Sequence, residues 1–230
     1  MSYQENITRI RAVYNALGDL ANEVVFVGGA TVSLYADRQT SEVRPTDDVD
    51  ILVELYTRSE YAQVEATLRE RGFQHDQDSG IMCRFTVQGI TVDVMPIEES
   101  ILGFSNQWYE EGYRQAISHQ LDEDYTVNIF SAPYFIATKL EAFKGRGKED
   151  GRTSHDFEDI VYVLNNRSTV WEEMEDAPET VREYLENEVR SLLDNPYIEE
   201  WISANLEFSG QSRTGYIMEG LRDFVSLPSL

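Results

Sequence analysis

Two short runs carry acids where apolar residues are the rule. In TDDVDILVEL, Asp48 and Asp50 stand two apart at the mouth of an apolar strand, and a period-2 element turns both side chains to one face. In GITVDVMPI a lone acid, Asp93, interrupts a second buried-looking strand. A carboxylate between Val92 and Val94 is costly unless something compensates it, and a metal ion would do so. Three carboxylates on neighbouring strands offer hard oxygen ligands to divalent cations, which can activate an attacking hydroxyl and stabilise a leaving pyrophosphate. The competing reading makes Asp47 and Asp48 turn residues, Asp50 an edge-strand acid and Asp93 a solvent-facing one.

A third feature precedes them. Gly28-Gly29 lies between the run EVVFV and the helix-spaced ATVSLYAD, a strand, tight turn and helix. Glycines there let backbone N–H groups approach a triphosphate at the positive end of a helix. Any tight strand-to-helix turn can use the same pair. Ser33 could assist the phosphates or simply sit on the helix surface, and Arg44 and Thr46 could touch substrate or only shape the loop before the acids.

The elements that must position these groups are legible in the periodicities. Ile7, Ile10, Val13, Tyr14 and Leu17 predict a helix over 4–21. VDILVEL reads as a buried strand after the polar stretch 39–47, and SEYAQVEATLRERG as a helix stopped by glycine. FQHD, IMCRFTVQ and GITVDVMPI read as strands, the last two joined by a Gln88-Gly89 hairpin turn. A helix through Tyr113 and two strands, ISHQL and YTVNIF, complete an α+β half, a mixed sheet with flanking helices over residues 1–131. Residues 132–230 read as a helical bundle. APYFIATKLEAFKGRGK has proline in its first turn and ends at Gly145/Gly147, and HDFEDIVYVLNN is N-capped by Thr153 or Ser154. Later helices break near Asn195-Pro196. An active site at the junction of the halves is the natural expectation.

Composition narrows the partners. A net charge of -23 opposes long-range attraction to nucleic acid or anionic membrane and favours a cationic substrate or partner. Charge is uneven, however. Lys139, Lys144, Arg146, Lys148 and Arg152 crowd one stretch, whereas WEEMEDAPETVREYLENEVR is acidic, so a local phosphate site is compatible with global repulsion. No apolar run approaches the roughly 20 residues of a spanning helix, and the amphipathic, acid-bearing opening is unlike a signal peptide; the reading is a soluble, cytoplasmic protein. Cys83 reads as a small buried hydrophobe.

The run VGGATVSLYADRQTSEVRPTDDVDILVE followed by ITVDVMP resembles the polymerase-beta-like nucleotidyltransferases, in which a GG or GS turn precedes an acid-x-acid pair and a third acid lies on a later strand. The resemblance implies phosphate binding by Gly28 and Gly29, Mg²⁺ binding by Asp48, Asp50 and Asp93, and a base role for Asp93. APYFIATKLEAFKGRGKEDGRTSHDFEDIVYVL is similar to the helical segment of AbiEii/AbiGii-type toxin nucleotidyltransferases. That likeness implies that Lys139 contacts the triphosphate, that Asp156 completes the site and that Arg146 assists. Read from the residues alone, alternatives stay open: Lys139 could instead be a solvated lysine on a helix whose other face is apolar, Asp156 could simply favour the first turn of its helix, and His155 reads as a helix-start residue.

The leading expectation is Mg²⁺-dependent transfer of a nucleoside monophosphate from an NTP to an acceptor hydroxyl of RNA or protein, toxin-like and with a cognate antitoxin as a partner. A small cationic acceptor, as for aminoglycoside-type nucleotidyltransferases, suits the acidic composition better. A third possibility is an antitoxin-like binding module that kept the fold and lost the chemistry, against which the intact carboxylate set argues.

Overall fold

The computed structural model describes residues 2–38, 43–103, 105–146, 150–206 and 213–226. Residues 39–42 of the polar connection, and Gly147 and Lys148 of the basic stretch, lie outside these. Chain contacts define two units, Met1–Leu34 with Glu42–Ser131, and Tyr35–Ser41 with Ala132–Leu230.

In the first unit, helix α1 (Ser2–Leu17) buries Ile10, Val13 and Leu17. It stops earlier than its apolar periodicity suggested, because Gly18 takes φ +54° and the chain continues as a 3-10 turn to Asn22. Strand β1 (Val24–Val27) is buried throughout. The segment after it, expected as a helix over ATVSLYAD, is a 3-10 helix, Gly29–Tyr35. The Gly28 carbonyl accepts both the N–H and the hydroxyl of Thr31, and this three-residue closure draws the chain into the tighter coil.

Strand β2 (Asp48–Val53) follows, then α2 (Arg58–Glu70), whose start is fixed by a reciprocal Thr57/Glu60 capping box. Next come β3 (Gln74–His75), β4 (Arg84–Val87), β5 (Ile90–Pro96), short helices α3 (Glu99–Leu102) and α4 (Tyr109–Arg114), and strands β6 (Ile117–Gln120) and β7 (Thr126–Ile129). The Gln88-Gly89 turn takes φ +51° and +79°, the left-handed pair that a two-residue hairpin requires.

Among the described residues these strands form one mixed sheet in the order β3-β4-β5-β2-β1-β7-β6, with β2/β5 and β1/β7 parallel. The two central strands that carry the acids, β2 and β5, are therefore side by side although 36 residues and a helix intervene between Val53 and Ile90 in part of the chain. Their apolar positions, Val49, Ile51, Val92 and Val94, are at most 1% exposed, which fixes the register and with it the face that the acids occupy.

The second unit is helical: α5 (Ala132–Arg146), α6 (His155–Asn166), α7 (Val170–Glu175), α8 (Glu179–Leu193), α9 (Ile198–Ala204) and α10 (Thr214–Ser226). Ser154 is the N-cap of α6, accepting from the Phe157 N–H. Phe143, Phe157 and Trp201 pack ring against ring, with centroids 5.3–5.9 Å apart, and Val181, Leu185 and Val189 bury one stripe of α8. The basic stretch is largely tied to acids within this unit: Lys144 bridges Glu141 and Glu188, and Arg152 bridges Asp150 and Glu200. No helix among the described residues is long and apolar enough to cross a membrane.

Candidate active site

Asp48 and Asp50 alternate with buried Val49 and Ile51 on β2, so both project from the same face. In the parallel pairing with β5, Asp50 stands directly beside Asp93. The three carboxylates each bring an oxygen within 4.8 Å of the others, an arrangement that could hold a metal ion. Asp48 and Asp50 are partly open to solvent while Asp93 is only 9% exposed, so the edge-strand and solvent-facing alternatives do not describe this cluster.

The loop leading into β2 is held from α1. Asn6, fully buried, accepts the Thr46 N–H at 3.1 Å and donates to the Arg44 carbonyl at 3.3 Å, while the Thr46 hydroxyl donates to the Asp48 carbonyl at 3.2 Å. Arg9 adds a hydrogen bond to the Thr46 carbonyl. Thr46 is buried and shapes the loop.

Gly28 stands at the opposite side of Asp50. β1 pairs Val27 with Asp50, and the next residue turns away at φ +72°. A Cβ on Gly28 would lie 1.9 Å from Asp50 Oδ2, so the carboxylate occupies the space a side chain would need. Glycine at this position thus serves the acid as well as the turn. Gly29 begins the 3-10 segment. Ser33 is not on a helix surface: it is 3% exposed, and its hydroxyl has no hydrogen-bond partner among the described residues.

Sequence reasoning missed Arg84. The cost of burying Asp93 had suggested a metal, yet β4 supplies a guanidinium that donates from Nε to Oδ1 at 2.8 Å and from Nη2 to Oδ2 at 2.7 Å. Nη2 also lies 3.7 Å from Asp48 Oδ2. The hydrogen bonds to Asp93 push the arginine further above its ordinary range, outweighing the opposing effect of burial. The signal was available: a two-residue turn at Gln88-Gly89 pairs Val87 with Ile90, and three steps back it pairs Arg84 with Asp93. Next door, Cys83 is buried and its thiol is pushed up to about 11, by burial first and the Asp93 charge second, which fits an inert core residue.

The candidates of the helical unit form their own cluster. Lys139 is 7% exposed rather than solvated, and its ammonium lies 3.2 Å from Asp156 Oδ1 and 2.6 Å from Asp159 Oδ2. Arg146, whose side chain is 73% exposed, grips Asp156 in a fork at 2.7 and 2.8 Å. Burial acts to raise the Asp156 carboxyl, but the Arg146 hydrogen bonds, helped by Lys139, overcome it and hold the group below its ordinary value. Asp159, three residues along α6 on the same face, is the member that the family likeness did not name. His155 begins α6 and pairs with Glu158 at 3.1 Å.

A family model described as nucleotidyl transferase AbiEii toxin, type IV TA system, matches residues 11–213. The match spans most of the chain, which therefore belongs to this family of nucleotidyl transferases. No curated protein matches the sequence.

Proposed function

We propose that this AbiEii-family chain moves a nucleoside monophosphate from an NTP to an acceptor hydroxyl, using Mg²⁺ held by Asp48, Asp50 and Asp93. The observation that carries the reading is the convergence of these three carboxylates, from two parallel strands, beside the Gly28-Gly29 turn. The donor set is all hard oxygen, the chemistry that Mg²⁺ prefers, and the family is one of nucleotidyl transferases. Magnesium bound there would supply Lewis-acid stabilisation of the charge that develops on the transferring phosphoryl group.

In the reaction the acceptor oxygen forms a bond to the α-phosphorus and the bond to the pyrophosphate oxygen breaks. The hydroxyl proton passes to a base, and Asp93 is the candidate. Gly28 and Gly29, without side chains, allow the phosphates close approach to backbone N–H groups. Ser33 has a hydroxyl to spare for a phosphate oxygen. In the helical unit, Lys139 is the candidate contact for the triphosphate, Asp156 the acid that completes the site, and Arg146, the more exposed of the two cations, a further candidate.

The family's place in a type IV toxin–antitoxin system supports a cognate antitoxin as partner and a toxin-like role. Acceptors remain RNA, protein or a small cationic molecule, and the net charge of -23 favours the last. Incubating the protein with each labelled NTP, Mg²⁺ and cell extract tests the reading. Label entering one of the three fractions identifies the acceptor, and absence of Mg²⁺-dependent transfer from every NTP leaves the binding-module alternative.

A further inference from the structure

The three acids are not simply a vacant bowl of negative charge, because Arg84 is built into it. Its fork occupies one lone-pair direction on each oxygen of Asp93, and the same Nη2 faces Asp48. The fork is anchored rather than accidental. Arg84 and Asp93 are directly paired residues of the β4/β5 hairpin, the turn leaves no slack in their register, and the side chain of Arg84 is only 23% exposed.

We infer that Arg84 is the resident counter-cation of the carboxylate cluster, so that loading a divalent ion is a cation exchange in which Arg84 gives up part of its hold on Asp93. The inference rests on the metal reading proposed above, and it names the residue that sets the metal affinity. Two positive groups competing for the same carboxylates repel one another at short range. Without metal, Arg84 relieves the repulsion between Asp48 and Asp93 and keeps buried Asp93 paired. With metal, the displaced guanidinium is left beside the reaction centre, where a phosphate is the natural replacement for the carboxylate it lost. Arg84 is thus a positioning residue: it makes the site weak for metal alone and stronger when metal arrives with a polyphosphate.

The test uses nucleotide-free full-length protein and Mn²⁺, whose free ion is counted by paramagnetic resonance. Arg84→Gln is expected to bind Mn²⁺ at least about tenfold more tightly than the wild type, since it removes one cation from the site. Its melting temperature should fall in chelator and recover in Mn²⁺. Adding a non-hydrolysable NTP should tighten Mn²⁺ binding by a larger factor in the wild type than in Arg84→Gln. Arg84→Lys, which keeps the charge and loses the fork, should lie between the two and serves if Arg84→Gln does not fold. Equal or weaker Mn²⁺ binding by both variants, with wild-type binding intact, overturns the exchange and leaves the metal reading standing. If neither the wild type nor the variants bind Mn²⁺, or if Asp50→Asn binds it as the wild type does, the metal reading falls and the exchange with it.

Discussion

The chain holds two clusters of opposed charges, and they are balanced differently. On β2 and β5 three carboxylates, Asp48, Asp50 and Asp93, come together, Arg84 of β4 forks onto Asp93 and lies near Asp48, and two of the acids stay partly open to solvent. On α5 and α6 two acids, Asp156 and Asp159, meet two cations, Lys139 and Arg146, and all but Arg146 are more than nine-tenths buried. A cluster with surplus charge and solvent access can take up a further ion. In one that is neutral among its named members and largely buried, removing a buried member leaves a buried charge uncompensated. Equal numbers of titratable residues are therefore balanced differently: the sheet cluster could hold a metal ion, and in the helical one ion pairs join α5 to α6.

Lys139→Ala should have the largest effect. Loss of the ammonium leaves Asp156 and Asp159 buried, and a destabilisation of about 3–5 kcal/mol is expected in urea unfolding. A wild-type midpoint would mean that Lys139 is held no more firmly than a surface lysine. In the sheet cluster, Asp48→Asn should do the reverse: turnover of NTP falls by at least about two orders of magnitude, while stability is unchanged or improved because like charges are relieved. Full Mg²⁺-dependent transfer by this variant would mean that Asp48 holds no catalytic metal.

Gly28→Ala comes next. With φ +72° and Asp50 Oδ2 where the methyl must go, the variant should lose about 1–3 kcal/mol and displace Asp50. Mn²⁺ binding weakened by more than the stability change alone explains would locate the effect at Asp50. An unperturbed variant would show that the turn can relax without moving the acid.

The smallest effect concerns acid. Asp156 is held below its ordinary value of 3.8, so its contribution to stability is present above that value and is lost as pH falls through the lower folded value. Arg146→Gln removes the strongest lowering partner, so the contribution should shrink and its loss should be complete at a higher pH. Because Arg146 is exposed, the change at neutral pH should be about 1 kcal/mol or less. Identical urea midpoints against pH for both proteins would show that Lys139 alone governs the carboxyl.

Much of this was legible in the chain. The alternation around Asp48 and Asp50, the oddity of Asp93 between valines, and the Gln88-Gly89 turn predicted strands and faces that the fold contains, because apolar periodicity reports which side of an element is buried. The helix after Gly28-Gly29 was misjudged: residues 30–35 are buried on every side, and a segment buried all round has no periodicity to separate a 3-10 coil from an α-helix. The burial of Lys139 was not legible for a related reason. Its partners lie 17 and 20 positions along the chain on another helix, beyond any local pattern.

By itself, the sequence determined which residues alternate and which turn closes a hairpin, and so implied that Arg84 faces Asp93, since both are consequences of local backbone geometry. Only the tertiary structure decided that β2 lies parallel beside β5, which puts Asp50 next to Asp93, and that α6 turns Asp156 and Asp159 toward Lys139. Strand order and helix pairing are settled by the burial of apolar faces from distant segments, a choice that no local spacing encodes.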